Sequence, residues 1–144
     1  MKVEHIGIAV KDLESSNLLF EKLLGFPSYK QESVDSEGVI TSFFKLGESK
    51  VELLQATHAD SPIATFLDKR KEGIHHIAFE VEDIGNEVIR LEKEGFKLIT
   101  PTPKRGADNK LVVFLHPGTT NGVLVELCQE VKETSENDEA NRNQ

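Results

Sequence analysis

Residues 5–13 read HIGIAVKDL and residues 76–84 read HIAFEVEDI. The shared pattern is His, Ile, any residue, apolar, any residue, Val, charged, Asp, apolar. Alternation of apolar positions over each copy predicts a half-buried strand. The Asp near the end of each copy, Asp12 or Asp83, stands where its carboxylate can accept N–H groups from the first turn of a following helix.

Outward from these strands the two copies keep the same plan. A helix is predicted over 13–24, with Leu19, Phe20, Leu23 and Leu24 at helical spacing, and another over 84–94, with Ile84, Val88 and Leu91. Each helix runs into Gly-Phe, at Gly25-Phe26 and Gly95-Phe96, where glycine can take the left-handed conformation that closes a helix. Extended segments follow near 27–31, 38–46 and 50–54 in the first copy, and near 97–100, 110–116 and 123–128 in the second. The closing strands correspond closely, KVELLQ at 50–55 and LVELCQ at 124–129. Each half therefore reads strand, helix, three strands. The expected fold is α+β: two paired βαβββ modules, at about 1–57 and 74–130, related by a pseudo-twofold axis within a single domain over 1–130. Between them, Ser61 as cap and Pro62 at the first helical position predict a linking helix over about 62–71. The polar run VKETSENDEANRNQ at 131–144 is expected to be a disordered acidic tail.

Composition limits the function classes. The 144 residues are 38% hydrophobic and 29% charged, the balance of a soluble globular chain. A net charge of -8 offers no electrostatic footprint for a phosphate backbone, so nucleic acid is excluded as a general partner. No run approaches the ~20 apolar residues of a membrane span, and the N-terminus reads as a strand rather than a signal peptide. The one cysteine, Cys128, permits no intrachain disulfide and fits a reducing, cytoplasmic setting.

The repeat also yields matched metal-competent residues. His5 and His76 open the first strands of the two halves, and Glu52 and Glu126 occupy matching places in the closing strands. A lone His at a strand start is more often hydrogen-bonded than ligating, and a lone Glu on a strand usually faces solvent. The same pair in both halves points instead to four ligands converging in a cleft. Two imidazoles and two carboxylates suit a first-row divalent ion such as Co, Mn, Ni, Fe or Zn. On an octahedral ion they leave two adjacent positions for water or a bidentate substrate. By the period-two rule His75 points away from His76 and receives no role. His58 has no counterpart in the repeat, His116 precedes a turn at Pro117-Gly118, and Cys128 shares the face of Glu126 as a packing residue. There is no phosphate-cradling glycine motif, no nucleophile-elbow serine and no CxxC.

The segments HIGIAVKDLESS, KLGESKVELLQ, DSPIATFL, GIHHIAFEVEDI and FLHP to GVLVEL resemble the vicinal oxygen chelate (glyoxalase/bleomycin-resistance) superfamily, and within it the methylmalonyl-CoA epimerases. Together they span residues 3–129. The resemblance implies a metal-binding cleft, with His5, Glu52, His76 and Glu126 as ligands to one divalent ion, Co2+ first and Mn2+, Ni2+ or Zn2+ as alternatives. It also implies an acyl-CoA substrate, a homodimer, and epimerisation of (2R)- and (2S)-methylmalonyl-CoA by C2 proton abstraction through a metal-stabilised enolate. Many of these epimerases carry Gln where this chain has Glu52. Glu126 is the implied acid/base, with Glu52 as its opposing partner. Some relatives have a further glutamate at the place that Thr41 takes here. Lys104, Arg105 and Lys110 are candidates for attracting the CoA phosphates. Three alternatives share the scaffold: a lactoylglutathione lyase (glyoxalase I) type of isomerase, an iron dioxygenase, and a metal-free small-molecule binding module.

Overall fold

The computed structural model describes residues 1–132, so the tail expected at 131–144 lies outside the described residues from 133 onward. The first half supplies β1 (Lys2–Ala9), α1 (Leu13–Leu24), β2 (Lys30–Val34), β3 (Val39–Leu46) and β4 (Ser49–Ala56). The linker carries α2 (Pro62–Arg70). The second half supplies β5 (Gly73–Glu80), α3 (Ile84–Lys93), β6 (Lys104–Arg105), β7 (Lys110–Leu115) and β8 (Val125–Glu130).

All eight strands join in one sheet of order β2-β3-β4-β1-β5-β8-β7-β6. Outward from the central β1–β5 seam, the two halves have the same strand order. β1 is parallel to β4, β5 is parallel to β8, and β1 and β5 run antiparallel to each other. The pseudo-twofold axis therefore passes between β1 and β5.

The helix starts follow the repeat in detail. Asp12 accepts from the Ser15 N–H at 3.2 Å and Asp83 from the Asn86 N–H at 3.0 Å. The closing strands add a second matched contact. Gln55 Oε1 accepts from the Leu13 N–H at 2.6 Å, and Gln129 Oε1 accepts from the Ile84 N–H at 2.8 Å. Each helix is thus tied at its N-terminus to the last strand of its own module, satisfying a backbone donor that the helix leaves open. Ser61 caps α2 through the Ala64 N–H at 3.1 Å, with Pro62 in the first turn.

One sheet face is covered by α1 and α3. Ile84, Val88 and Leu91 pack on Val113, Leu115 and Leu127, while Leu13, Phe20 and Leu24 pack on Val10, Phe44 and Leu53. Leu19 and Leu23, expected on the same stripe, are instead 63% and 71% exposed. The buried stripe starts at Leu13 and continues through Phe20 and Leu24, which leaves the Leu19–Leu23 pair on the solvent side.

Two strand expectations change. The strand expected near 97–100 reduces to backbone hydrogen bonds from Ile99 to Phe114 and from His116 to Lys97, with a single bridge at Leu98. Pro101 and Pro103 have no N–H to extend the ladder, so regular pairing resumes only as the two-residue β6. The strand expected near 27–31 begins later, at Lys30, after Pro27.

Candidate active site and metal centre

The register of the central strands dictates where the four predicted ligands sit. Gly7 lies between Glu52 on β4 and His76 on β5, forming one row across the sheet. Ala78 lies between His5 on β1 and Glu126 on β8, forming the second. Each row therefore places a small residue between a histidine and a glutamate, and the pseudo-twofold exchanges the rows. The small residue has a steric purpose at Gly7. A Cβ built there would lie 2.2 Å from His76 Cε1 and 2.5 Å from its Nδ1.

His5, His76 and Glu126 converge. His5 Nε2 lies 2.9 Å from His76 Nε2 and 2.9 Å from Glu126 Oε2, and His76 Nε2 lies 3.5 Å from the same oxygen. Glu52 takes a different place. Its Oε2 meets Nδ1 of His5 at 2.9 Å, on the other edge of that ring. All four residues are buried.

The donor set fits a divalent ion. Ligand atoms at about 2.1 Å from an ion and about 90° apart lie about 3.0 Å from each other, and about 3.4 Å apart in a tetrahedral arrangement. The three observed separations fall at these values. Glu126 Oε2, buried between two imidazoles, also finds no aligned hydrogen-bond donor among the described residues. A cation satisfies that oxygen and both nitrogen lone pairs at once.

The electrostatics of the site favour positive charge. Burial pushes the Glu126 carboxyl upward, but His5 and His76 outweigh it and bring it down to about 2. Burial likewise opposes a charged His5, yet Glu126, Glu4 and Glu52 together raise it well above the ordinary histidine value. His75 moves the other way, down to about 4, through burial and its neighbour His76.

Two cavity-lining residues escape the alternation rule. The β1–β5 register slips between Val3 and His5 and again between Gly7 and Ile8, so Glu4 and His75 are each the extra residue of a bulge. A bulge turns its residue toward the same side as the next one. Glu4 Oε1 reaches within 3.5 Å of His5 Nδ1, and His75 Nδ1 lies 2.9 Å from His76 Nδ1. His75 does not point away from its neighbour, as alternation had suggested. The available signal was positional: Glu4 and His75 stand in the same place, immediately before the two repeat histidines.

Glu4 is held by Lys50 at 3.0 Å, and Lys50 and Lys30 both reach the carboxylate of Asp108 at 2.5 Å. These contacts fasten the 106–109 loop of the second module to the first, above the cavity it helps to line. Of the three candidate phosphate-attracting cations, Lys110 lines that cavity. Lys104 pairs with Glu37 and Arg105 with Asn109, both on the exposed two-residue β6. Thr41 lines the cavity, fully buried and, among the described residues, without a partner for its hydroxyl. His116 serves its turn by accepting from the Gly118 N–H at 3.0 Å, His58 packs over Gly38, and Cys128 is buried with Ala78 and Val112.

Comparison with known proteins agrees with this architecture. Residues 4–114 match the Glyoxalase/Bleomycin resistance protein/Dioxygenase superfamily. The mitochondrial methylmalonyl-CoA epimerase of Dictyostelium discoideum is 44% identical over 88% of this chain and 76% of its own length. The ethylmalonyl-CoA/methylmalonyl-CoA epimerase of Cereibacter sphaeroides is 42% identical, over 89% of this chain and 97% of its own. A variant of the Streptomyces coelicolor methylmalonyl-CoA epimerase, solved in complex with 2-nitronate-propionyl-CoA, superposes with a TM-score of 0.88. It is 31% identical, and the match covers 92% of this chain and 99% of that one. A duplicated module with matched histidines and glutamates, together with these relatives, shows that the chain belongs to the glyoxalase/bleomycin resistance/dioxygenase superfamily and, within it, to the methylmalonyl-CoA epimerase family.

Proposed function

We propose that this chain interconverts the (2R) and (2S) forms of methylmalonyl-CoA at a centre where His5, His76 and Glu126 hold one divalent ion. The observation that carries the reading is the convergence of those three side chains, at 2.9–3.5 Å, in a family of epimerases. Two imidazoles and one carboxylate also suit ferrous iron in oxygenases. The epimerase relatives at 42–44% identity decide against that use. Cobalt is the proposed ion, the acyl-CoA enters as a small-molecule substrate, and the protein works in the cytoplasm as a homodimer. Among the described residues no helix is long and apolar enough to cross a membrane.

The C2 hydrogen of methylmalonyl-CoA lies between a thioester and a carboxylate, so its removal leaves charge on oxygen. A divalent ion bound at the centre supplies positive charge where that charge develops. Glu126, held ionised by its imidazole neighbours, is the group assigned to take the proton. Inversion needs an acid on the other face. Thr41 cannot hold a transferable proton at neutral pH, and Glu52 is the proposed partner. His5, Glu52, His76 and Glu126 are all buried, which keeps the reacting groups in a medium of low polarity.

The reading is tested by following (2S)-methylmalonyl-CoA by NMR, in parallel with the hemithioacetal of glutathione and methylglyoxal. Conversion of the first alone is expected. Conversion of the second alone would assign the chain to the glyoxalase I type of reaction, and conversion of neither with any divalent ion would leave a binding module.

A further inference from the structure

The two histidines of the proposed centre face unlike groups on their second nitrogens. His5 presents Nε2 to the cluster, and its Nδ1 faces the Glu52 carboxylate at 2.9 Å. His76 also presents Nε2, but its Nδ1 faces the Nδ1 of a second imidazole, His75, at 2.9 Å. Two ring nitrogens at that separation share one proton, since two lone pairs or two N–H groups would repel. The owner of that proton fixes the chemistry of His76. With the proton on His76 Nδ1, its Nε2 keeps a lone pair that can bind an ion. With the proton on His75 Nδ1, a neutral His76 carries its own on Nε2 and cannot ligate.

We propose that His75 is a positioning residue for the metal centre: a neutral imidazole, protonated on Nε2, whose Nδ1 accepts from His76 Nδ1–H and holds His76 in its ligating tautomer. The inference rests on the metal reading given above and extends it to a residue outside the ligand set. Three features support it. The bulge in β5 turns His75 onto the face of His76, where a regular strand would send it to the opposite face. The ring of Phe66 on α2 meets His75 edge-on, with centroids 5.0 Å apart and planes at 85°, which restrains its rotation. Gly7 leaves open the space that the His76 ring fills, with Nδ1 of that ring within reach of His75. Ligating histidines commonly use their second nitrogen in this way, and loss of the partner weakens metal binding even when the ligands remain.

The test compares His75→Phe, which keeps the ring and its packing on Phe66 but has no acceptor, with His75→Asn, whose Oδ1 sits where Nδ1 was. Co2+ alone is titrated into each metal-free protein, with affinity and the ligand-field absorption spectrum as readouts and the thermal midpoint of the metal-free forms as control. His75→Phe is expected to bind ~10–100-fold more weakly with an altered spectrum, and His75→Asn to recover to within about threefold of wild type. Equal affinity and spectrum for wild type and His75→Phe would overturn the inference, as would Asn behaving like Phe. If His75→Phe does not fold, two-bond 1H–15N correlation on zinc-loaded wild type decides the matter. A proton on Nδ1 of His76 and on Nε2 of His75 supports the proposal, and the reverse overturns it. Wild type that takes up neither ion removes the metal reading itself, a result distinct from failure at His75 alone.

Discussion

His76 occupies the volume that a side chain at position 7 would fill, so Gly7→Ala must displace either the imidazole or the strand. Such a displacement is expected to weaken binding of Co2+ by ~10–100-fold, the range seen when the support of a ligand is disturbed. Isothermal titration of the metal-free variant checks it, and wild-type affinity would show that β1 can give way instead. The two glutamates should separate by role. Glu126→Gln removes both a proposed ligand and the proposed base and should abolish turnover. Glu52→Gln preserves the shape of a group that meets His5 Nδ1, and should lower kcat by ~10²–10⁴-fold while leaving Co2+ binding within tenfold. Unchanged kcat in Glu52→Gln would remove Glu52 as the opposing acid.

At the scale of elements, the repeat is a set of matched joints. Gln55 and Gln129 each cap a helix belonging to their own module, so removing either leaves a partly buried backbone N–H without its partner. Gln55→Ala and Gln129→Ala should each cost about 1 kcal/mol in urea unfolding. Their effects should add, because the two joints lie in different modules. The strand–helix–strand order and the helix starts were readable from sequence because they rest on local patterns: apolar alternation, a capping Asp and a Ser-Pro start. What local pattern could not convey was pairing register. Period-two alternation sends His75 away from the site, and only the slip in the β1–β5 ladder brings it and Glu4 back. The short β6 was likewise hidden, because the prolines at 101 and 103 displace pairing that hydrophobicity alone places at 97–100. The exposed Leu19–Leu23 pair shows the same limit on a helix, where spacing identifies stripes but not which one the sheet covers.

Across the whole molecule, the site depends on the two modules staying in register over the cavity. Asp108 makes one link between them, with Lys30 and Lys50 of the first module converging on a carboxylate from the second. Burial pushes its carboxyl upward, but the two ammonium groups outweigh burial and hold it below the ordinary aspartate value of 3.8. The sign of the pH effect follows. The stabilisation is fully present above 3.8 and is lost as pH falls through the lower folded value. Asp108→Asn retains a residue tolerant of the left-handed backbone at φ 59 but lacks the charge. Its melting temperature should fall below wild type at pH 7, and the gap should narrow as both are measured below pH 3.8. A gap independent of pH would mean that the link is not electrostatic.

The proposed chemistry spans these scales: one ion, held by residues from both modules, would make a carbon-bound proton exchangeable. Deuterium incorporation at C2 of methylmalonyl-CoA in D2O tests it most directly, comparing protein stripped by a chelator with the same protein restored by one equivalent of Co2+. Exchange at the buffer rate in the stripped protein and fast exchange after restoration are the predicted results. Fast exchange without metal, or none above the buffer rate with it, would rule out metal-dependent epimerisation at this site.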